Sequence, residues 1–194
     1  MSTFIQISGS GGLKGIHTLR SMRSGQYTSN LITTGTTLTM TGAVDRIVLS
    51  PYIPATNVTS QNLSIFVQSN ATAGTLCRIL VYSDNNGYAK DKIFESSNLD
   101  LSTTGIKTAL ASITFEAGKW YWVGIITNYN TFPTISSCGV GQALNTYQLS
   151  TNANAVYAVQ GYTSTYSNPA PNTLIEASIT QPAASAPVVL IQQV

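Results

Sequence analysis

The spacing of apolar residues divides the chain near residue 25. Over 1–24 the pattern is short-ranged: a brief strand is expected over 4–7, and the Gly/Ser stretch 8–12 reads as a flexible joint. Leu13, Ile16, Leu19 and Met22 then recur every third residue, enough for one or two helical turns that Gly15 weakens. So short a piece is marginal alone and must lean on something. From Tyr27 onward the period becomes that of strands. Candidate strands lie over 30–34, 37–41 and 44–50, followed by a corner at Pro51 and Pro54. Residues 63–68 alternate, with Leu63, Ile65 and Val67 on one face, and 75–82 is continuous enough for a central strand buried on both faces. The Asp-Asn-Asn-Gly run 84–87 is a turn, because Asn and Gly accept positive φ cheaply.

Further along, 92–95 is a short strand and 99–105 a loop. Residues 108–115 and 119–127 are expected to form a hairpin around Glu116, Ala117 and Gly118, its second strand at the heart of the core. Trp120, Tyr121 and Trp122 cannot all face inward there. Past Tyr129 regularity fades, with strand candidates over 133–138, 156–160, 173–178 and 188–191 and a long Ser/Tyr/Pro loop over 161–171. Many short strands, with no helical period beyond residue 22, predict an all-β chain: a jelly-roll-like antiparallel β-sandwich over 25–194 preceded by a short N-terminal arm over 1–24.

Composition sharpens this picture. Of 194 residues, 43% are hydrophobic and only 8% charged, against about 25% charged in ordinary globular chains. The polar surface must come from Ser, Thr, Asn and Gln, which suit strands and turns better than helices. Coiled coils, charged bundles and acidic disordered chains are excluded. A net charge of +2 is too small for a nucleic-acid binder that neutralises phosphates. Lys14, His17, Arg20 and Arg23 precede the first acidic residue, Asp45, and from Asp45 onward six basic residues meet seven acidic ones. A weakly basic arm therefore leads an almost neutral body. No apolar run is long enough for a membrane span, and 1–7 lacks a secretory pattern, so the expectation is a soluble protein made in a cytoplasm.

Catalytic chemistry is hard to find in these residues. His17 is the sole histidine, no Gly-x-Ser-x-Gly elbow is present, and Cys77 and Cys138 lie far apart without a zinc-like spacing. Cys77 sits in an apolar run and reads as a buried hydrophobe. Asp84, Asp91, Glu95 and Asp100 form the one acidic cluster, but Arg78, Lys90 and Lys92 stand among them, which favours salt pairing across a hairpin over a glycosidase couple. Asp84, Asn86 and Glu95 echo a calcium loop, yet Tyr88 and Ala89 occupy positions where a ligand and a glycine are required. The expectation is a protein that is not an enzyme and uses no cofactor and no metal.

One ordered set of residues carries a resemblance. It runs from Arg23-Ser-Gly-Gln-Tyr27 and Asp45-Arg-Ile-Val-Leu49 to Ala73-Gly-Thr-Leu-Cys-Arg-Ile-Leu-Val-Tyr-Ser-Asp-Asn-Asn-Gly-Tyr88, then Leu99-Asp-Leu-Ser-Thr-Thr-Gly-Ile-Lys107, then Phe115-Glu-Ala-Gly-Lys-Trp-Tyr-Trp-Val123. This resembles a domain of bacteriophage virion proteins, found at the ends of tail or head fibres and in small capsid-decoration proteins. Its usual wording is R-x-x-I-Y-x-D-N-N-G-x-P-G, S-T-T-G-V-K and P-G-x-Y-W. Ala89 and Lys90 replace the Pro-Gly pair here, and Glu116-Ala-Gly118 lacks the proline. The resemblance spans about residues 23–127 and brings no catalytic residues with it.

It implies a virion structural protein, made in the host cytoplasm and assembled on the particle surface. The reading favoured is capsid decoration, as a cement or head-fibre protein that binds the major capsid protein or another virion protein. Docking would use the arm, with candidate contacts Phe4, Ile5, Leu13, Lys14, Ile16, His17, Leu19, Arg20 and Arg23. One alternative is a tail-fibre or receptor-binding tip that holds a host surface glycan; another is a free-standing carbohydrate-binding module. Tyr129, Tyr147, Tyr157, Tyr162 and Tyr166 are the candidate glycan or subunit contacts. Few charges repel copies of the chain, and with these tyrosines exposed, self-association as a trimer is expected. No membrane and no nucleic acid is expected as partner.

Overall fold

A computed structural model describes residues 24–30, 44–69, 71–129, 135–139, 159–180 and 185–194. The arm candidates, including the expected strand over 4–7 and the turns over 13–22, lie outside the described residues, as do the strand expected over 37–41 and all but Asn30 of the one expected over 30–34. In chain order the strands are β1 (Tyr27–Ser29), β2 (Arg46–Tyr52), β3 (Val58–Val67), β4 (Leu76–Asn85), β5 (Tyr88–Glu95), β6 (Leu99–Asp100) and β7 (Gly105–Leu110). They continue as β8 (Thr114–Phe115), β9 (Tyr121–Thr127), β10 (Ser137–Gly139), β11 (Gln160–Thr163), β12 (Ser185–Pro187) and β13 (Leu190–Gln193). Among the described residues a single 3-10 turn, Glu176–Ser178, interrupts the strands.

Two antiparallel sheets face each other. One runs β1-β13-β3-β7, with β8 beside β7 on β3; the other runs β11-β2-β9-β4-β5, with β6 on the end of β4. The long-range pairs are nested: β1 with β13, β2 with β9, β3 with β7 and, innermost, β4 with β5. The main core lies between the sheets. Leu63, Ile65 and Val67 of β3, with Ile191 of β13, meet Cys77, Ile79 and Val81 of β4 and Val123 and Ile125 of β9. The chain is an all-β antiparallel sandwich.

β4 and β9 are buried on both faces, as continuous apolar runs require. Their other sides carry Leu80, Tyr82, Trp122 and Ile126 into a second apolar cluster on the outer face of the same sheet, completed by Tyr166, Ala170 and Leu174. The consecutive aromatics divide accordingly, Tyr121 to the main core and Trp122 to the second cluster. Between β4 and β5, Asn85 pairs with Tyr88, leaving Asn86 (φ 52°) and Gly87 (φ 89°) as a two-residue turn with both φ values positive. That is the type I′ geometry whose twist suits a tight hairpin.

Three sequence expectations are corrected. Pro51 is no corner: β2 runs through it to Tyr52, with Pro51 opposite Trp122. Residues 108–115 are not one strand and make no hairpin with 119–127. They break into β7 and β8, both on β3, whereas β9 joins the opposite sheet. The break is held by Ser60, whose hydroxyl donates to the Ala111 carbonyl and accepts from Ile113 N at 3.2 Å. The turn over 116–118 therefore crosses between sheets, sealed by Phe115 packed edge-on to Tyr52 (5.1 Å) and Tyr121 (5.0 Å). Finally, 173–178 is not a strand; Leu174 is pulled into the second cluster and the chain turns through the 3-10 segment.

Candidate functional site

Of the loop expected over 161–171, residues 161–163 instead belong to β11, paired with β2. Tyr166, Ala170 and the following Leu174 lie on the outer face of the sheet containing β4 and β5, over Arg78, Lys92 and Glu95. Arg78 of β4 and Lys92 and Glu95 of β5 project there because the hairpin register sets them side by side. Arg78 Nη1 meets Glu95 Oε1 at 2.7 Å, and Lys92 Nζ meets Glu95 Oε2 at 2.7 Å. The side chains are only 12–14% exposed, so these pairs are screened far less than surface ones.

The same groups hold the loop. Arg78 Nη2 donates to the carbonyls of Tyr166 (2.6 Å) and Asn168 (2.7 Å), and its guanidinium stacks 4.6 Å above the Tyr166 ring. Lys92 Nζ donates to the Ala170 carbonyl at 2.5 Å, while Ala170 N donates to both Glu95 oxygens at 3.0 and 3.1 Å. Tyr82 Oη donates to the Pro171 carbonyl at 2.9 Å, and Tyr166 N donates to Asp45 Oδ1 at 2.6 Å. Tyr166 itself is buried, its hydroxyl donating to Asn98 Oδ1 at 2.7 Å, and burial pushes its phenol up to about 12.

With both Glu95 oxygens engaged by cations and a backbone N–H, the carboxylate has its acceptor positions filled. The arrangement is a clamp for the loop. Salt pairing across the β4–β5 hairpin, expected from sequence, is present between Arg78 and Glu95, while Lys92 joins Glu95 from within β5 itself. The other members of the acidic cluster are placed elsewhere. Asp84 accepts from Trp122 Nε1 (2.8 Å) and Gly87 N (3.2 Å), Asp91 accepts from Thr173 Oγ1 (2.8 Å), and Asp100 accepts from Ser102 N and Oγ, bonds that lower its pKa. Among the described residues no three His, Cys, Asp or Glu groups gather as metal ligands.

The tyrosine candidates are not assembled into one surface. Tyr166 corrects the expectation of an exposed ring, since it is roofed into the second cluster, and Tyr162 is half-buried against the same cluster. Tyr129 is exposed. Tyr147 and Tyr157, like Phe4, Ile5, Leu13, Lys14, Ile16, His17, Leu19, Arg20 and Arg23, lie outside the described residues. Cys77 is free and fully buried, and burial pushes its thiol up, far from the reactive thiolate range.

Two residues were invisible to sequence reasoning. Gln160 bridges β11 to the hairpin, accepting from Ala89 N at 2.8 Å and donating to Gly87 O at 2.7 Å. Asn30, buried after β1, donates to Ser50 Oγ (2.7 Å) and to the Val123 (3.4 Å) and Pro187 (3.3 Å) carbonyls, and accepts from Val189 N (2.8 Å). In so amide-rich a chain neither carries a signal that separates it from its exposed neighbours. No family model matches the chain, and no curated protein or solved structure matches it either.

Proposed function

We propose that the chain is a bacteriophage virion structural protein, a capsid-decoration protein fastened to the shell through its N-terminal arm, residues 1–24. The observation that carries this reading is that the separate pieces of the virion-domain resemblance meet in space. Asp84, from the Asp-Asn-Asn-Gly piece, accepts a hydrogen bond from Trp122 of the Tyr-Trp piece. Arg78, from the same piece as Asp84, organises the loop clamp. Residues that match in order and also touch are serving one architecture.

The nested pairing supports the finer fold reading. The order β1-β13-β3-β7 facing β2-β9-β4-β5 is what results when one long hairpin of four strand pairs is rolled up, the arrangement of a jelly roll. A low-charge surface of hydroxyls and amides, and a carboxylate committed to a clamp, favour assembly over turnover as the protein's work. Burial of Tyr166 removes one ring from the platform that a glycan-binding tip would present.

Deleting residues 2–22 tests the proposal. Decoration predicts that shell binding is lost while circular dichroism still reports a folded sandwich. Heads coated normally by the truncated protein, or label found only at the tail, would refute it.

A further inference from the structure

The sheet edges of the molecule are treated differently. Along β5, the stretch 172–174 adds backbone hydrogen bonds, Lys92 N to Asn172 O at 2.7 Å and Leu174 N to Lys90 O at 2.8 Å. Along β11, Gly161 and Thr180 exchange a pair at 2.6 and 2.7 Å. Both edges of that sheet are thus capped by the chain itself. β7, at the end of the opposite sheet, pairs with β3 on one side, and among the described residues no segment lies along its other side. Its outward side chains Ile106 and Leu110 are 53% and 82% exposed, and Phe66, paired with Ile106, is 39% exposed on the same face. A bare strand edge flanked by exposed apolar side chains is a template for another strand.

We infer that β7 pairs antiparallel with β7 of a second copy of this chain, about a two-fold axis at Thr108, joining two sandwiches through one continuous sheet. The strand's own pattern selects this register. Outer-face side chains must lie opposite outer-face side chains, which leaves few alignments. Centring on Lys107 would set two ammonium groups directly across from each other. Centring on Thr108 sets Lys107 opposite Ala109, on diagonal positions from its mate, and sets Ile106 of each copy opposite Leu110 of the other. The hydroxyl of Thr108 is already hydrogen-bonded within its own sheet to Ser64 Oγ at 2.9 Å, and Lys107 Nζ to Thr103 Oγ1 at 2.5 Å, so neither side chain needs a partner from the second copy. The outer-face positions of β3 and β7 carry no formal charge, so the joined face buries no unpaired ion. A contact of this kind is self-complementary and closes at two subunits. It gives a dimer in place of the trimer that the tyrosines suggested. The inference is independent of the virion reading, because the arm takes no part in it.

Sedimentation velocity on the full chain, from low to hundreds of micromolar, is the test. The expected result is a concentration-dependent dimer that Leu110→Lys and Ile106→Lys each weaken at least tenfold, with circular dichroism unchanged because both side chains are exposed. Under mild oxidation Thr108→Cys should cross-link faster than Ile106→Cys or the unsubstituted chain, since only position 108 meets itself at the axis. A chain that stays monomeric throughout, or associates only when another virion protein is added, overturns the inference. So does a trimer, association unaffected by Leu110→Lys, or equal cross-linking at 106 and 108.

Discussion

Gly124 shows how little room one position can have. It lies in β9 opposite Leu49 of the neighbouring β2, and a Cβ there would stand 1.8 Å from the Val48 carbonyl oxygen. No rotamer relieves a contact with backbone, so the central strand pair must part. Gly124→Ala is expected to cost at least about 3 kcal/mol, at the upper end of overpacking penalties. Chemical denaturation checks it, and an unshifted midpoint would contradict the packing described. The buried phenols make a second prediction at this scale. Burial holds Tyr52 and Tyr166 up to about 12, with Cys77 and Glu95 adding to the rise at Tyr166 and Arg78 opposing it. In the unfolded chain they ionise near about 10. The folded state therefore keeps protons that the unfolded state releases, so this contribution is whole below pH 10 and lost as pH climbs toward 12. Denaturant midpoints measured across that range should fall, and ultraviolet titration should show a late-ionising class of tyrosine.

At the scale of elements, the loop clamp is the least ordinary feature. A polar loop covers the outer face of the sheet, and its backbone carbonyls are satisfied by Arg78 and Lys92. Glu95→Gln keeps the shape and removes the charge that neutralises both cations. Breaking a buried pair in this way costs about 3–5 kcal/mol, and the loop over 164–172 should become a site of early proteolytic cleavage. Limited proteolysis alongside denaturation measures both; a variant as stable and as resistant as the parent would show that the clamp carries no weight. The elements also show where local reasoning succeeds. The Asn86-Gly87 turn was legible because the demand for positive φ is met by two adjacent residue types and needs nothing from the rest of the fold. The split of 108–115 was not, because its cause is Ser60, a hydroxyl supplied by a strand far away in sequence.

For the molecule as a whole, nested pairing makes the two ends of the sandwich interdependent. β13, close to the last residue, is an interior strand, with β1 on one side and β3 on the other. Removing residues 188–194 should take from β1 the strand it pairs with, bare the side of β3 away from β7, and take Ile191 out of the main core, so the shortened chain is expected to lose its fold. Circular dichroism and amide exchange would show this; a cooperative melt close to that of the full chain would count against the interior placement. So many long-range pairs must form before any rewards the loops it closes that folding on the millisecond-to-second scale is expected.

What the sequence determined by itself was whatever depends on short-range pattern. The all-β class, the doubly buried run of β4, the place of β9 in the core, the buried Cys77 and the hairpin with its Arg78–Glu95 pair follow from apolar period and turn chemistry within a few residues. What only the tertiary structure decided was which sheet each strand joins, and which polar side chains are spent inside the molecule. Strand membership depends on pairings between distant segments, which period two leaves open. The roles of Tyr166, Asn30 and Gln160 depend on what lies above them. In a chain whose surface is made of hydroxyls, amides and tyrosines, an interior polar residue and an exterior one read alike until the fold sets a partner beside one of them.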